Sequence, residues 1–127
     1  MKLQMINPAA SPKPVGPYSH GMRVGNLLFC SGQIPLTAEG KLVEGGIKEQ
    51  TRQVLENVGA ILRDQNLTFE NVVKSTVFMT DLAEFAEMNG VYSEFFQANF
   101  PARSTVQVAA LPRGARVEIE VVVSYSY

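Results

Sequence analysis

The stretch Pro101–Val123, PARSTVQVAALPRGARVEIEVVV, decides how this chain folds. It reads as two β-strands, Ser104–Ala109 and Ala115–Val123, with Arg103 at the mouth of the first. In the second, Val117, Ile119, Val121 and Val123 alternate toward one side, and Glu118, Glu120 and Val122 take the other. The valine run 121–123 implies burial on both faces at that end. Helices can cover only one of them, so the face that carries both acids is expected to meet another copy of the chain.

Upstream of this stretch the hydrophobic period is helical twice. Ile47, Thr51, Val54, Leu55, Val58, Ile61 and Leu62 recur at helical spacing, which predicts a helix over Ile47–Gln65 with Asn66 as its stop. Gly59 lies near that stripe, and close packing on a sheet would offset its helix-breaking cost of about 1 kcal/mol. A second helix is expected after Asp81. Asp81 and Glu84 have capping-box spacing, Leu82, Phe85, Met88, Tyr92, Phe95 and Phe96 form the apolar stripe, and Pro101 marks the end. Between the helices, Val72–Thr80 is rich in strand formers. Met22–Val24 and Leu27–Ser31 flank Gly25-Asn26 as a hairpin. Residues 1–17, with four prolines, read as an extended arm, and the irregular stretch after the hairpin leaves room for one more short strand. The predicted order is β-β-α-β-α-β-β, an α+β chain with both helices on one face of the sheet and a single domain over residues 1–127.

Composition fits a packed core: 46% of the 127 residues are hydrophobic and 18% charged. Eleven basic against twelve acidic residues leave no basic footprint, which argues against nucleic acid as partner. No apolar run is long enough to span a membrane, and a single cysteine, Cys30, suits a reducing cytoplasm. One histidine, His20, leaves a zinc site short of ligands, and neither a phosphate loop nor a nucleophile turn occurs, so no metal or organic cofactor is expected. Cys30, inside LLFCSG, reads as a buried structural thiol.

Candidates for chemistry are then Arg103, Glu118, Tyr18, Ser31 and Asn89. A guanidinium fork suits a carboxylate held by two parallel hydrogen bonds, although the default for Arg103 taken alone is a structural salt bridge. A carboxylate on a contact face must be paired or used. For Glu118 the bland alternatives are an exposed acid or an intersubunit salt bridge with Arg113 or Arg116. Glu120 has the same parity, and alternation does not choose between the two. Tyr18 and Ser31 have hydroxyls that could donate to an oxyanion, and Asn89 borders the apolar stripe.

Taken together, GPYSHG, LLFCSGQIPL, VVKSTVFMTDL and FPARSTVQVAALPRGARVEIEVV resemble the Rid/YjgF family, most closely its RidA branch, over essentially the whole chain. That resemblance implies a chorismate-mutase-like fold and a homotrimer whose sheets form a central barrel, with ligand sites in the clefts between subunits. It implies hydrolysis of reactive 2-imino acids and their enamine tautomers, 2-iminobutanoate and 2-iminopropanoate, to 2-oxo acids and ammonia. By position, Arg103 matches the family's carboxylate-binding arginine and Glu118 its catalytic glutamate, while Tyr18, Ser31, Gly32 and Asn89 match residues lining the site. Thr105 stands where many RidA proteins have cysteine, which puts thiol chemistry there in doubt. The alternatives are a trimer that binds 2-oxo acids without turnover and, further off, an endoribonuclease or a chaperone.

Overall fold

The computed structural model describes residues 2–126. Its elements are β1 Leu3–Ile6, β2 Gly21–Val24, β3 Leu27–Gln33, α1 Ile47–Asp64, β4 Val72–Met79, α2 Phe85–Phe95, β5 Ala102–Gln107 and β6 Val117–Ser124, with 3-10 turns before β4, α2 and β6. They build one six-stranded sheet in the order β1-β2-β3-β6-β4-β5. All neighbours are antiparallel except β4 and β5, the parallel pair joined through α2.

The alternation of β6 explains its central place. Val117, Ile119, Val121 and Val123 are at most 2% exposed, packed under the helices with Leu28, Val54, Leu55, Val58, Val77 and Met79. Full burial of each such side chain is worth about 1.5–3 kcal/mol. α1 starts where its periodicity begins and ends one residue before the predicted limit. Asn66 takes φ 58°, the left-handed stop that asparagine tolerates. In the β2–β3 turn Val24 faces Leu27, and Gly25 at φ 59° holds the first central position, where a type II′ turn wants glycine.

Several expectations need correction. Residues 1–17 are not only an extended arm: Leu3–Ile6 form β1, which pairs with β2. The extra strand therefore precedes the hairpin, and the stretch after it contributes only a bridge between Leu36 and Leu42. Gly59 packs against Phe69 rather than the sheet; a Cβ there would lie 3.4 Å from the Phe69 ring. Asp81 caps a 3-10 turn by accepting from Ala83 N, while Glu84 pairs with Arg116 instead of completing a capping box. Leu82 and Phe85 are exposed and Val91 is buried in their stead. α2 ends at Phe95, well before Pro101. β5 begins at Ala102, so Arg103 lies inside the strand, and β6 begins at Val117, after the Pro112–Gly114 turn.

The face opposite the helices is uncovered in the single chain. Leu3, Met5, Leu27, Phe29 and Val106 are 39–69% exposed, and Val122 is half-buried between them and the acids.

Candidate functional site

Each candidate residue is held by a different element, and the sheet separates them into two groups. The first forms on the helix side of β5. Ser75 on β4 is fully buried, and its hydroxyl shares a 2.7 Å hydrogen bond with Tyr92 OH on α2. That bond, together with stacking on Phe96 at 4.3 Å, fixes the Tyr92 ring. The Arg103 guanidinium lies over this ring, 4.7 Å from its centroid, with Phe85 at 5.5 Å. Arg103 Nη1 donates to Asn89 Oδ1 at 2.8 Å. Two residues singled out separately in the sequence, Arg103 and Asn89, thus meet directly. Burial pushes the Tyr92 phenol up, against the pull of Ser75 and Arg103, so it remains a neutral partner for the cation.

Beside Arg103 opens a cavity of about 330 Å³, walled by Phe96, Phe100, Pro101 and Ser93. Among the described residues the ion pairs are Arg52–Glu94 and Arg116–Glu84. The salt-bridge default for Arg103 is therefore not met among the described residues, none of which brings a carboxylate to its remaining N–H groups. Arg116, a conceivable partner for Glu118, is engaged by both carboxylate oxygens of Glu84.

The second group forms on the open face. Glu118 lies over Gly32, at the irregularity where β3 slips against β6 between Cys30 and Gln33. A Cβ on Gly32 would fall 2.8 Å from Glu118 Cδ, so the bare backbone admits the carboxyl group. Half-burial raises the Glu118 carboxyl above its ordinary range, and repulsion from Glu120 adds to the shift. Next to Gly32, Ser31 donates its O–H to Ser19 O at 2.6 Å and its N–H to His20 O. Its hydroxyl proton is thus directed at the Ser19 carbonyl. Tyr18 is exposed, and its hydroxyl oxygen accepts from Val15 N, leaving the proton available.

The two groups face opposite ways. On β4, Ser75 is paired with Arg103 and Phe78 with Glu118, and an odd separation along one strand points side chains to opposite faces. Thr105 shares the face of Arg103, with its hydroxyl oxygen buried and without a hydrogen-bond partner among the described residues. A single chain therefore holds a guanidinium with its framework on one side and a carboxyl group with raised pKa on the other. Among the described residues, no group of three or more His, Cys, Asp or Glu side chains could hold a metal ion.

Tyr92, Ser75 and Phe85 were not among the expected site residues. The signal for Tyr92 was its i+3 spacing from Asn89, which puts the two on one helix face. A lone serine among the apolar side chains of β4 was the mark of Ser75.

The raised Glu118 carries a stability consequence. Between the ordinary carboxylate range and the raised value the folded chain holds a proton that the unfolded chain has lost, so stability falls as pH rises through that window. Glu118→Gln is expected to melt above the parent at pH 7–8, with the gap closing below about pH 4. Thermal melts across pH check this; a gap independent of pH would assign the effect to packing.

The family model described as Endoribonuclease L-PSP matches residues 8–125. A RutC family protein of Pyrococcus abyssi is 46% identical over 96% of this chain and 97% of its own length. The 2-iminobutanoate/2-iminopropanoate deaminase of Homo sapiens is 44% identical over 94% of this chain and 88% of its own. Among solved structures, a putative endoribonuclease of Thermotoga maritima superposes with TM-score 0.93 at 46% identity, covering 98% of each chain. The E. coli protein TdcF, crystallised with bound serine, superposes with TM-score 0.91 at 41% identity, over 97% of this chain and 99% of that one. Among the described residues no helix is long and apolar enough to cross a membrane. With its matched model, its relatives and its mixed sheet in agreement, the chain belongs to the Endoribonuclease L-PSP family, the Rid/YjgF family that its motifs resemble.

Proposed function

We propose that the protein is a hydrolytic deaminase that converts 2-imino acids and their enamine tautomers, such as 2-iminobutanoate and 2-iminopropanoate, to 2-oxo acids and ammonia. The site is completed between copies of the chain in a homotrimer. The observation that carries this reading is the separation of Arg103 and Glu118 on opposite faces of one sheet, each framed and neither ion-paired among the described residues. Relatives at about 45% identity bear the corresponding deaminase name.

In this scheme the free N–H groups of Arg103 hold the substrate carboxylate, while Tyr92 and Asn89 keep the fork in plane. The protonated imine carbon is electrophilic, so neither metal nor organic cofactor is needed. Glu118 of a neighbouring copy takes a proton from water as its oxygen bonds to C2. It returns the proton to nitrogen, and as the C–N bond breaks it takes the remaining hydroxyl proton and passes it to the departing ammonia, leaving a carbonyl and ammonium. A carboxyl group raised toward neutrality exchanges that proton more readily than an ordinary one. Gly32 gives the carboxyl room, and Tyr18 offers a phenolic proton at the rim. Thr105, beside Arg103, contributes backbone contact and no thiol chemistry.

The uncovered face supports the assembly. Five large apolar side chains exposed on one sheet are costly in water and suited to a subunit contact, with three sheets closing into a barrel and the helices outside. Light scattering is expected to give about three times the 13.9 kDa chain mass. A folded monomer would remove the shared site. A second reading, binding of amino or oxo acids without turnover, is favoured by the relative crystallised with serine. Ammonia release from iminobutanoate, generated in situ by a threonine dehydratase, separates the two. Turnover above the uncatalysed rate is the expected result, and binding with no acceleration would favour the second reading.

A further inference from the structure

We propose that His20 is a positioning residue of this site, locking the segment that carries Tyr18 to the strand that carries Ser31 and Gly32. His20 is 5% exposed and makes a hydrogen bond on each ring nitrogen. Nε2 meets the carbonyl oxygen of Pro12, an acceptor only, so Nε2 bears the proton. Nδ1 meets Nε2 of Gln33 at 3.2 Å, a donor only, so Nδ1 offers its lone pair. The same Gln33 amide, itself 4% exposed, donates to Ser31 O at 3.1 Å. The main chain of His20 doubles the link: its N–H donates to Asn7 Oδ1 and its carbonyl accepts from Ser31 N, each at 2.8 Å. Tyr18 places its ring edge-on to the imidazole, with centroids 6.3 Å apart.

One tautomer therefore satisfies every partner, and it ties Pro12 to Ser31 through the imidazole and the Gln33 amide. Rotating the Gln33 amide would put its oxygen against Ser31 O, so the network has one low-energy arrangement. An apolar side chain of similar size would fill the space and leave the Pro12 carbonyl and the Gln33 amide without their partner. The wall bearing Tyr18, Ser31 and Gly32 would then lose its register to Glu118, while the Arg103 pocket on the other face would be untouched.

This inference rests on the proposed participation of Glu118 and Tyr18, and its test keeps the two apart. In the full-length protein, His20→Leu is expected to lower kcat for imine hydrolysis by about ten- to a hundredfold, the scale of a misplaced reacting group, with KM nearly unchanged. His20→Gln, which again offers one donor and one acceptor, should recover most of that loss. Gln33→Met should reproduce the His20→Leu split. Wild-type kcat in His20→Leu, or no recovery in His20→Gln, would overturn the assignment. If His20→Leu fails to fold, Gln33→Met decides by the same split. Nitrogen NMR of the wild-type imidazole and amide exchange at Ser31 read the lock without any turnover. A ring protonated at Nε2 with a bare Nδ1, and faster Ser31 exchange in Gln33→Met with Thr105 unaffected, are expected. The other tautomer, or equal exchange, would refute the lock. An inactive wild type that shows the expected spectra would sink the proposed function and leave the lock standing.

Discussion

Glu118→Gln is expected to lower kcat for imine hydrolysis by about 10²–10⁴-fold, the usual contribution of a positioned proton-transfer group. The amide keeps the shape that fits over Gly32, so 2-oxobutanoate should still bind. Glu120→Gln is the instructive control. Glu120 is exposed and contributes the lesser of the two effects that raise Glu118. Removing it should leave kcat at its plateau nearly intact and move the acidic limb of the pH profile to lower pH. Reversed behaviour of the two variants would transfer the acid–base role to Glu120.

The second large effect is expected at Arg103. Lysine keeps the charge but loses the planar fork, the bond to Asn89 Oδ1 and the stacking over Tyr92. A charge-assisted hydrogen bond is worth roughly 1.5–3 kcal/mol, so Arg103→Lys should cost about ten- to a hundredfold in kcat/KM. Arg103→Ala should cost more, with 2-oxobutanoate binding weakened in parallel. Titration calorimetry and the ammonia assay give the two numbers. Trimer mass and melting temperature should change little, because Arg103 forms no ion pair among the described residues and its cation–π contacts are worth only about 0.5–1 kcal/mol at partly exposed positions. A collapsed melting temperature would mean that Arg103 is structural.

What could be read from the sequence was local. The period of α1, its stop at Asn66 and the alternation of β6 depend on neighbours in the chain, and they survive in the structure. Alternation alone put Glu118 on the face away from the core, where it lies. β1 was missed because Leu3–Ile6 is four residues long, largely exposed, and held by pairing with residues near position 22. The true start of β5 was missed because parallel pairing with β4, rather than the propensity of Ala102 and Arg103, makes it a strand. The opposed faces of Arg103 and Glu118 could not be read at all. β5 and β6 are sequential strands, yet β4 lies between them, and only that topology sets their relative parity. Gly32 against Glu118 likewise depends on a register slip that no local pattern announces.

The claim that one site draws Arg103 and Glu118 from different copies is tested most directly by mixing two inactive variants. Arg103→Ala and Glu118→Gln, unfolded together in equal amounts and refolded, form random mixed assemblies. Each interface that takes Arg103 from one variant and Glu118 from the other is intact, which a cyclic trimer provides at about one in four interfaces. Ammonia release from iminobutanoate should therefore return to about a quarter of the wild-type rate, while each variant refolded alone stays inactive. No recovery in assemblies shown by mass to be mixed trimers would contradict the shared site.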